Sequence, residues 1–542
     1  MASYKQLLGF SAVASYGINH YATQLAIKQS FFLTALVVFL SLAFPKILYK
    51  AFIFPNFISP IRHLPGPSNP HWLFGHGLKI IRDPTGVPMR EWNNEVPNEG
   101  LIRYTSFLNS ERLLVTGPKA LAEVLVTKNY DFVKPNQVRA GLGRIAGEGI
   151  LLAEGDEHKR QRKFLAPAFA FRHIKDLYPV FWQKSVEMVN RIGNDISHRP
   201  ADWHKEANVL EFGTYTSRTT LDIIGLAGMG QDFGAIENPS NTLAQHYSTI
   251  FKPPPYLRYL QILALLFPPW VMRNIPIKRN QQINEARAYI RELCQTLIDA
   301  KRVDMSEKRP GYDILSVALE SGGFTDENLI DQMMTFLIAG HETTSTGLIW
   351  AIYLLANHPQ YQTRLREEIH ANLASPRSAD GKVVNSTQID SLPYLTAVIN
   401  EVLRLWAPVT MTMRVANKDS SIQNVPVPKG TLLIMSPWAT NTSYELWGDD
   451  AMQFNPDRWM KDASSGKGGA ESNYSFLTFL HGPRSCIGER FSRSEFACLL
   501  AACVGRFEWE METPGVEPRL GGMVTPRPKD GLWVRVKEQH DW

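Results

Sequence analysis

The chain has 542 residues, with hydrophobic residues at 44% and charged residues at 20%, the ordinary mix of a chain that buries a large core. That balance excludes a disordered, collagen-like or disulfide-framework protein. The net charge is only +5 and no long basic run occurs, so no nucleic-acid partner is expected, because such binding needs a clustered basic face. Four cysteines without a CxxC pair (Cys294, Cys486, Cys498 and Cys503) argue against a structural zinc site or a dithiol redox motif.

Residues 31–44 read FFLTALVVFLSLAF without a charge. The apolar character resumes at Ile47-Leu48-Tyr49, and Lys46 can snorkel, so a membrane span over 31–51 is expected. Lys46, Lys50 and Arg62 mark its cytoplasmic side. The expected organisation is an N-terminal segment (1–30), the transmembrane anchor (31–51), a linker with a proline-rich hinge (52–70) containing Leu64-Pro65-Gly66-Pro67, and one large body (71–542). Short β-type runs occur at 101–107, 112–116, 431–436 and 532–536. Most of the remainder reads as helix. Ile283, Ala286, Ile290, Leu293 and Leu297 form one apolar helical face. The longest helix is expected from Thr325, a cap, to Asn357, where His358-Pro359 stops it. At 1.5 Å per residue it is about 50 Å long and can cross the whole body. The fold class is therefore mainly α with small β-sheets. Residues 463–470 (ASSGKGGA) read as a flexible insert.

Gly141, Gly143 and Gly147 do not make a dinucleotide loop, because their spacing is wrong and the preceding KPNQVRA is no strand. His341-Glu342 is not an HExxH zinc motif, because Ser345 stands where the second histidine belongs. The informative stretch is Phe479-Leu480-His481-Gly482-Pro483-Arg484-Ser485-Cys486-Ile487-Gly488. A cysteine at the start of a helix gains from the helix dipole, which stabilises its thiolate. Glycines at 482 and 488 allow close backbone approach to a flat group. Upstream, Glu401 and Arg404 stand at i, i+3 on one helical face, in a helix expected between Pro393 and Pro408. Phe454–Trp459 (FNPDRW) offers Arg458, and the long helix carries Ala339-Gly340-His341-Glu342-Thr343-Thr344.

These motifs resemble those of the cytochrome P450 superfamily of haem-thiolate monooxygenases, in its membrane-anchored microsomal form. The resemblance implies a single haem domain behind the N-terminal membrane helix. It implies haem b with Cys486 as axial iron ligand, Phe479 shielding the sulfur, and Gly482 and Gly488 close to the macrocycle. It also implies Arg484, Arg162, His158 and Arg414 near the propionates, with His158 standing where the family commonly has Trp. Ala339 and Gly340 are expected to pass close over the haem. Thr343 and Glu342 are expected to be catalytic, delivering protons to bound O2. Glu401, Arg404 and Arg458 are expected to form a buried structural set. The implied reaction inserts one atom of O2 into a lipophilic small molecule. Its electrons come from NADPH through a separate NADPH-cytochrome P450 reductase, with a cytochrome b-type protein as a further donor. A haem-thiolate isomerase or peroxygenase and a non-catalytic haem-binding protein are the alternatives. The implied location is the endoplasmic reticulum membrane, single-pass, with the catalytic domain facing the cytoplasm. Substrate-facing residues are expected at 138–150, 246–270, the long helix before Thr343, 409–413 and 520–525. The proline-broken run 251–270 reads as a second, interfacial membrane contact.

Overall fold

A computed structural model describes the chain except residues 1–3, 28–29, 200–204, 252–268, 308–310, 378–383, 462–465, 523 and 540–541. The expected interfacial helix within 251–270 and the first three residues of the expected insert lie outside the described residues. The anchor forms helix Phe31–Leu48 and continues through Tyr49–Ile58 in a wider winding. Pro45 and Pro55 sit inside this helix, where each removes a donor from the hydrogen-bond ladder. The 28-residue span is apolar, and its most apolar 18-residue stretch is only 11% buried against protein. The segment before it, for which no structure was expected, is also helical over Tyr4–Tyr21.

The long helix runs Asp326–Asn357, and the Thr325 side chain accepts the Asn328 N–H as its cap. It is the spine of the body: Phe212–Met229, Lys278–Ser306, Pro393–Leu405 and Glu489–Arg506 all pack against it. The main apolar core surrounds this spine, with Leu337, Leu348, Trp350 and Leu355 fully buried. Ala286 and Ile290 of the helix Lys278–Ser306 enter the same core, on the apolar face that the sequence displays.

The largest sheet has five strands. Leu101–Thr105 pairs antiparallel with Glu111–Val115, which runs parallel to Leu432–Met435. Thr412–Ala416 joins that strand antiparallel, and Phe132–Val133 completes the edge. Side chains alternate between its faces: Leu113, Val115 and Leu433 enter one apolar cluster, while Ile102, Leu114 and Ile434 enter another. A smaller sheet joins Val209–Glu211, Trp533–Glu538 and Phe507–Met511. A short pair, Leu520–Gly521 with Arg527–Pro528, lies next to the long helix. Gly141 and Gly143 fall inside helix Asn136–Ala146 and not on a phosphate-binding turn.

Candidate active site

One apolar cavity of about 330 Å³ gathers residues from the long helix, the cysteine loop and the sheet. Cys486 faces it, placed by a loop that ends in the short turn Gly482–Arg484 and precedes helix Glu489–Arg506. The Cys486 N–H donates to the Phe479 carbonyl at 2.9 Å and closes the loop. The Phe479 ring lines the cavity and is covered by the Arg493 guanidinium at 4.8 Å, a residue that sequence reasoning did not single out. Burial pushes the Cys486 thiol up to about 11, against the opposing pull of the Gly488 N–H and Arg162. A coordinated metal reverses that preference, since a ligating thiol loses its proton outright.

Two of the glycines make room for protein neighbours. Gly482 has φ +77°, and a Cβ there would stand 2.2 Å from the Leu125 carbonyl oxygen. Its bare backbone lets the loop dock on Glu123–Thr127, and it does not reach the cavity wall. Gly340 does line the cavity, but its missing Cβ leaves room for Ile224 of the crossing helix, 2.8 Å from where the Cβ would be. Gly488 also lines the cavity, and a Cβ there would meet nothing closer than Phe169 at 3.8 Å.

A second wall is strongly basic. Lys134, His158, Arg162, Arg414 and Arg484 all line it. Arg484 donates to Glu154 at 2.6 Å, to the Asn129 side chain at 2.9 Å and to the Phe132 carbonyl. Arg162 reaches the Ser485 carbonyl at 2.6 Å, tying its helix to the cysteine loop. Arg414 donates to Thr412 Oγ1 and the Met413 carbonyl. His158 meets the Tyr130 hydroxyl at 3.3 Å, and burial beside Lys134 pushes its imidazole down to about 4, so it is neutral near pH 7. Burial and the neighbouring Arg414 push Lys134 down to about 7, while burial and Arg484 push Arg414 down to about 10. Glu154, paired with Lys134 at 3.4 Å, is the carboxylate among these groups. Lys134 and Glu154 were not foreseen, because nothing local marks them.

A third wall is the long helix, with Ala339, Gly340 and Thr343 on the cavity. The Thr343 hydroxyl donates to the Ala339 carbonyl at 2.7 Å. Glu342 is buried and turned away from the cavity wall. Its carboxylate accepts Thr525 Oγ1 at 2.9 Å and lies against the Arg527 guanidinium. His341 Nε2 is 3.9 Å from Glu342, and burial pushes its imidazole down to about 4. Neither Thr525 nor Arg527 was expected to hold the acid.

Beneath the site lies the buried ionic set. Glu401, fully buried, takes two bonds from Arg404 at 2.8 Å each and one from Arg458 at 3.0 Å. The Asn455 N–H at 3.0 Å and the Trp459 indole at 2.9 Å fill its remaining lone pairs. Arg404 spends its other donors on the carbonyls of Asn441, Ala451 and Gln453. The helix Pro393–Leu405 is thereby fastened to the short helix Asp457–Lys461 carrying Arg458, which also bonds Asp450.

This arrangement fits haem. A single thiol offers one axial position, and the apolar wall suits a flat macrocycle. The basic wall holds more buried positive charge than Glu154 balances, the condition that two propionates would relieve.

Residues 65–533 match the family model described as Cytochrome P450. The chain is 45% identical over 528 residues to the cytochrome P450 monooxygenase sphH of Aspergillus fumigatus, covering 96% of each chain. It is 41% identical to the cytochrome P450 monooxygenase FUM15 of Gibberella moniliformis, covering 98% of each. The identity to ALT8 of Alternaria alternata, another cytochrome P450 monooxygenase, is also 41%, covering 91% of this chain and 92% of that one.

Proposed function

This chain belongs to the cytochrome P450 family of haem-thiolate monooxygenases, and from that premise we propose that it oxygenates a lipophilic small molecule with electrons from NADPH, passed on by a separate membrane-bound reductase. Haem, when bound, supplies O2 binding and activation, favoured by electron density from the thiolate. The observation that carries the reading is that Cys486 and the Thr343 hydroxyl line one apolar cavity.

The chain's own residues divide the work. Cys486 holds the iron. Lys134, Arg162, Arg414 and Arg484 neutralise the propionates, and neutral His158 offers a hydrogen bond. Phe479, capped by Arg493, keeps water from the sulfur. Thr343 holds a proton at Oγ1, and the carboxyl of Glu342 supplies that position from the protein interior along the same helix. Ile150, Leu151, Phe336, Val409 and Leu480 also line the cavity. They favour an apolar substrate and exclude water around it. The helix Phe31–Ile58 anchors the body to the endoplasmic reticulum membrane with the cavity on the cytoplasmic side, and lipophilic substrate reaches it from the bilayer.

The test pairs a spectrum with turnover. Reduced protein under CO should show the red-shifted Soret band of thiolate-ligated haem, and Cys486→Ala should lose it. With the reductase added, NADPH and O2 consumption should rise when a substrate that shifts the haem spectrum is supplied. Retention of the band in Cys486→Ala would assign the ligand elsewhere. Substrate that shifts the spectrum but never raises consumption would favour a haem enzyme without reductase-driven turnover.

A further inference from the structure

The first helix and the anchor are arranged inside out relative to a pair of helices in water. Tyr4–Tyr21 packs along Phe31–Leu48. The Ser15 hydroxyl donates to the Phe31 carbonyl at 2.8 Å, so the end of one helix meets the start of the next and the two run antiparallel. The most buried side chains of the pair are mainly hydroxyls: Ser11, Ser15 and Thr34 are at most 2% exposed, joined by the small Ala43 at 4%. Their outer faces are apolar, with Leu8 at 60%, Phe10 at 62% and Val13 at 73% exposure, beside Phe32, Leu36 and Leu40 on the anchor. Water favours the opposite arrangement. A bilayer favours this one, because lipid tails take the apolar faces and every buried hydroxyl must find a partner within the protein.

Those partners are present. Ser11 donates to the Leu7 carbonyl at 2.7 Å, and Thr34 donates to the Ser30 carbonyl while accepting the Ile27 N–H. Asn19 donates to the Ser15 carbonyl, four residues back in the same helix, at 2.9 Å. Ser11 and Ser15 stand four apart, the small-xxx-small spacing that lets two helices approach closely in lipid. The first helix has 18 residues, about 27 Å, comparable with the roughly 30 Å hydrocarbon core.

We propose that Tyr4–Tyr21 lies within the bilayer beside the anchor, so that the chain enters the membrane as a helical hairpin and its N-terminus returns to the side of the catalytic body. The proposal rests on the anchor reading above and revises its single pass to two. The charges agree with it. Lys5, Lys46, Lys50 and Arg62 all fall at the end shared with the body, whereas the connecting residues 22–30 carry only Lys28. Basic residues prefer the cytoplasmic side. The short connection and the satisfied seam let a helix of modest hydropathy remain in lipid by leaning on its neighbour.

The test uses the full-length protein in sealed microsomes, with an impermeant maleimide as probe. Ala2→Cys should label in sealed vesicles several-fold above the chain without the added cysteine. Ala26→Cys should label only after permeabilisation. Labelling of Ala26→Cys in sealed vesicles, or protection of Ala2→Cys until detergent is added, would overturn the hairpin. Alkaline extraction separates the two readings. A chain that stays in the membrane with Ala2→Cys protected keeps its anchor and loses the hairpin. A chain released by alkali loses both.

Discussion

Arg527 lies against the carboxylate of Glu342, and Thr525 bonds the same group. The acid of the long helix is thus held from a strand pair near the C-terminus, about 185 residues away along the chain. Removing one member of a buried charged pair leaves the other without its partner. Arg527→Met should therefore lower product per NADPH in the holoenzyme and raise peroxide, with haem content intact. Arg527→Lys should restore most of the coupling. Unchanged coupling in Arg527→Met would remove this contact from any part in proton delivery.

Thr343 should matter to how electrons are used and not to how haem is held. Its hydroxyl donates to the Ala339 carbonyl and so keeps its lone pairs available on the cavity side. Thr343→Ala loses one i−4 side-chain bond and little packing. Haem content should match wild type, while product per NADPH falls and peroxide rises in proportion. Equal product yield per NADPH in both proteins would count decisively against the role.

The set beneath the site should rank by how many bonds each member makes. Glu401 receives five and Arg404 makes five, both side chains being fully buried, whereas Arg458 also reaches the half-exposed Asp450. Removing one partner of a buried pair costs about 3–5 kcal/mol. Glu401→Ala and Arg404→Ala should therefore yield apoprotein or aggregates, with Arg458→Ala milder. Haem content after expression, with thermal midpoints, checks the order. Normal incorporation in Glu401→Ala would show that the loop stands without the set.

What the sequence displayed was whatever is written locally. Thr325 reads as a cap because it precedes two acids and an apolar run, and the helix begins there. Glu401 and Arg404 share a face at i, i+3, and they pair. Groups whose meaning comes from a distant segment were hidden. Gly482 reads as a haem-facing glycine until Leu125 is seen against it. Lys134 looks like any lysine until Arg414 and Glu154 fold beside it. The helix Tyr4–Tyr21 escaped notice because Ser11, Ser15 and Asn19 interrupt its apolar run, and only its packing shows that the two serines point inward.

Lys134 gives the basic wall a pH signature. Its ammonium is pushed down to about 7 by burial and by Arg414. A propionate placed beside it would raise that value, so haem binding near pH 8 should take up a proton at Lys134. The sign follows directly. Below about pH 7 the lysine is charged before and after binding, and its attraction for haem is fully present. As pH rises beyond the value in the haem-bound protein, the attraction is lost. Ionisation of Cys486 opposes this trend, because ligation releases a proton and favours higher pH, but it acts equally in a Lys134 variant. The haem affinity of wild type relative to Lys134→Met should therefore be greatest at pH 6 to 7 and should shrink towards pH 9, as read from haem titrations of the apoprotein across that range. A ratio that stays flat with pH would place the propionates away from Lys134.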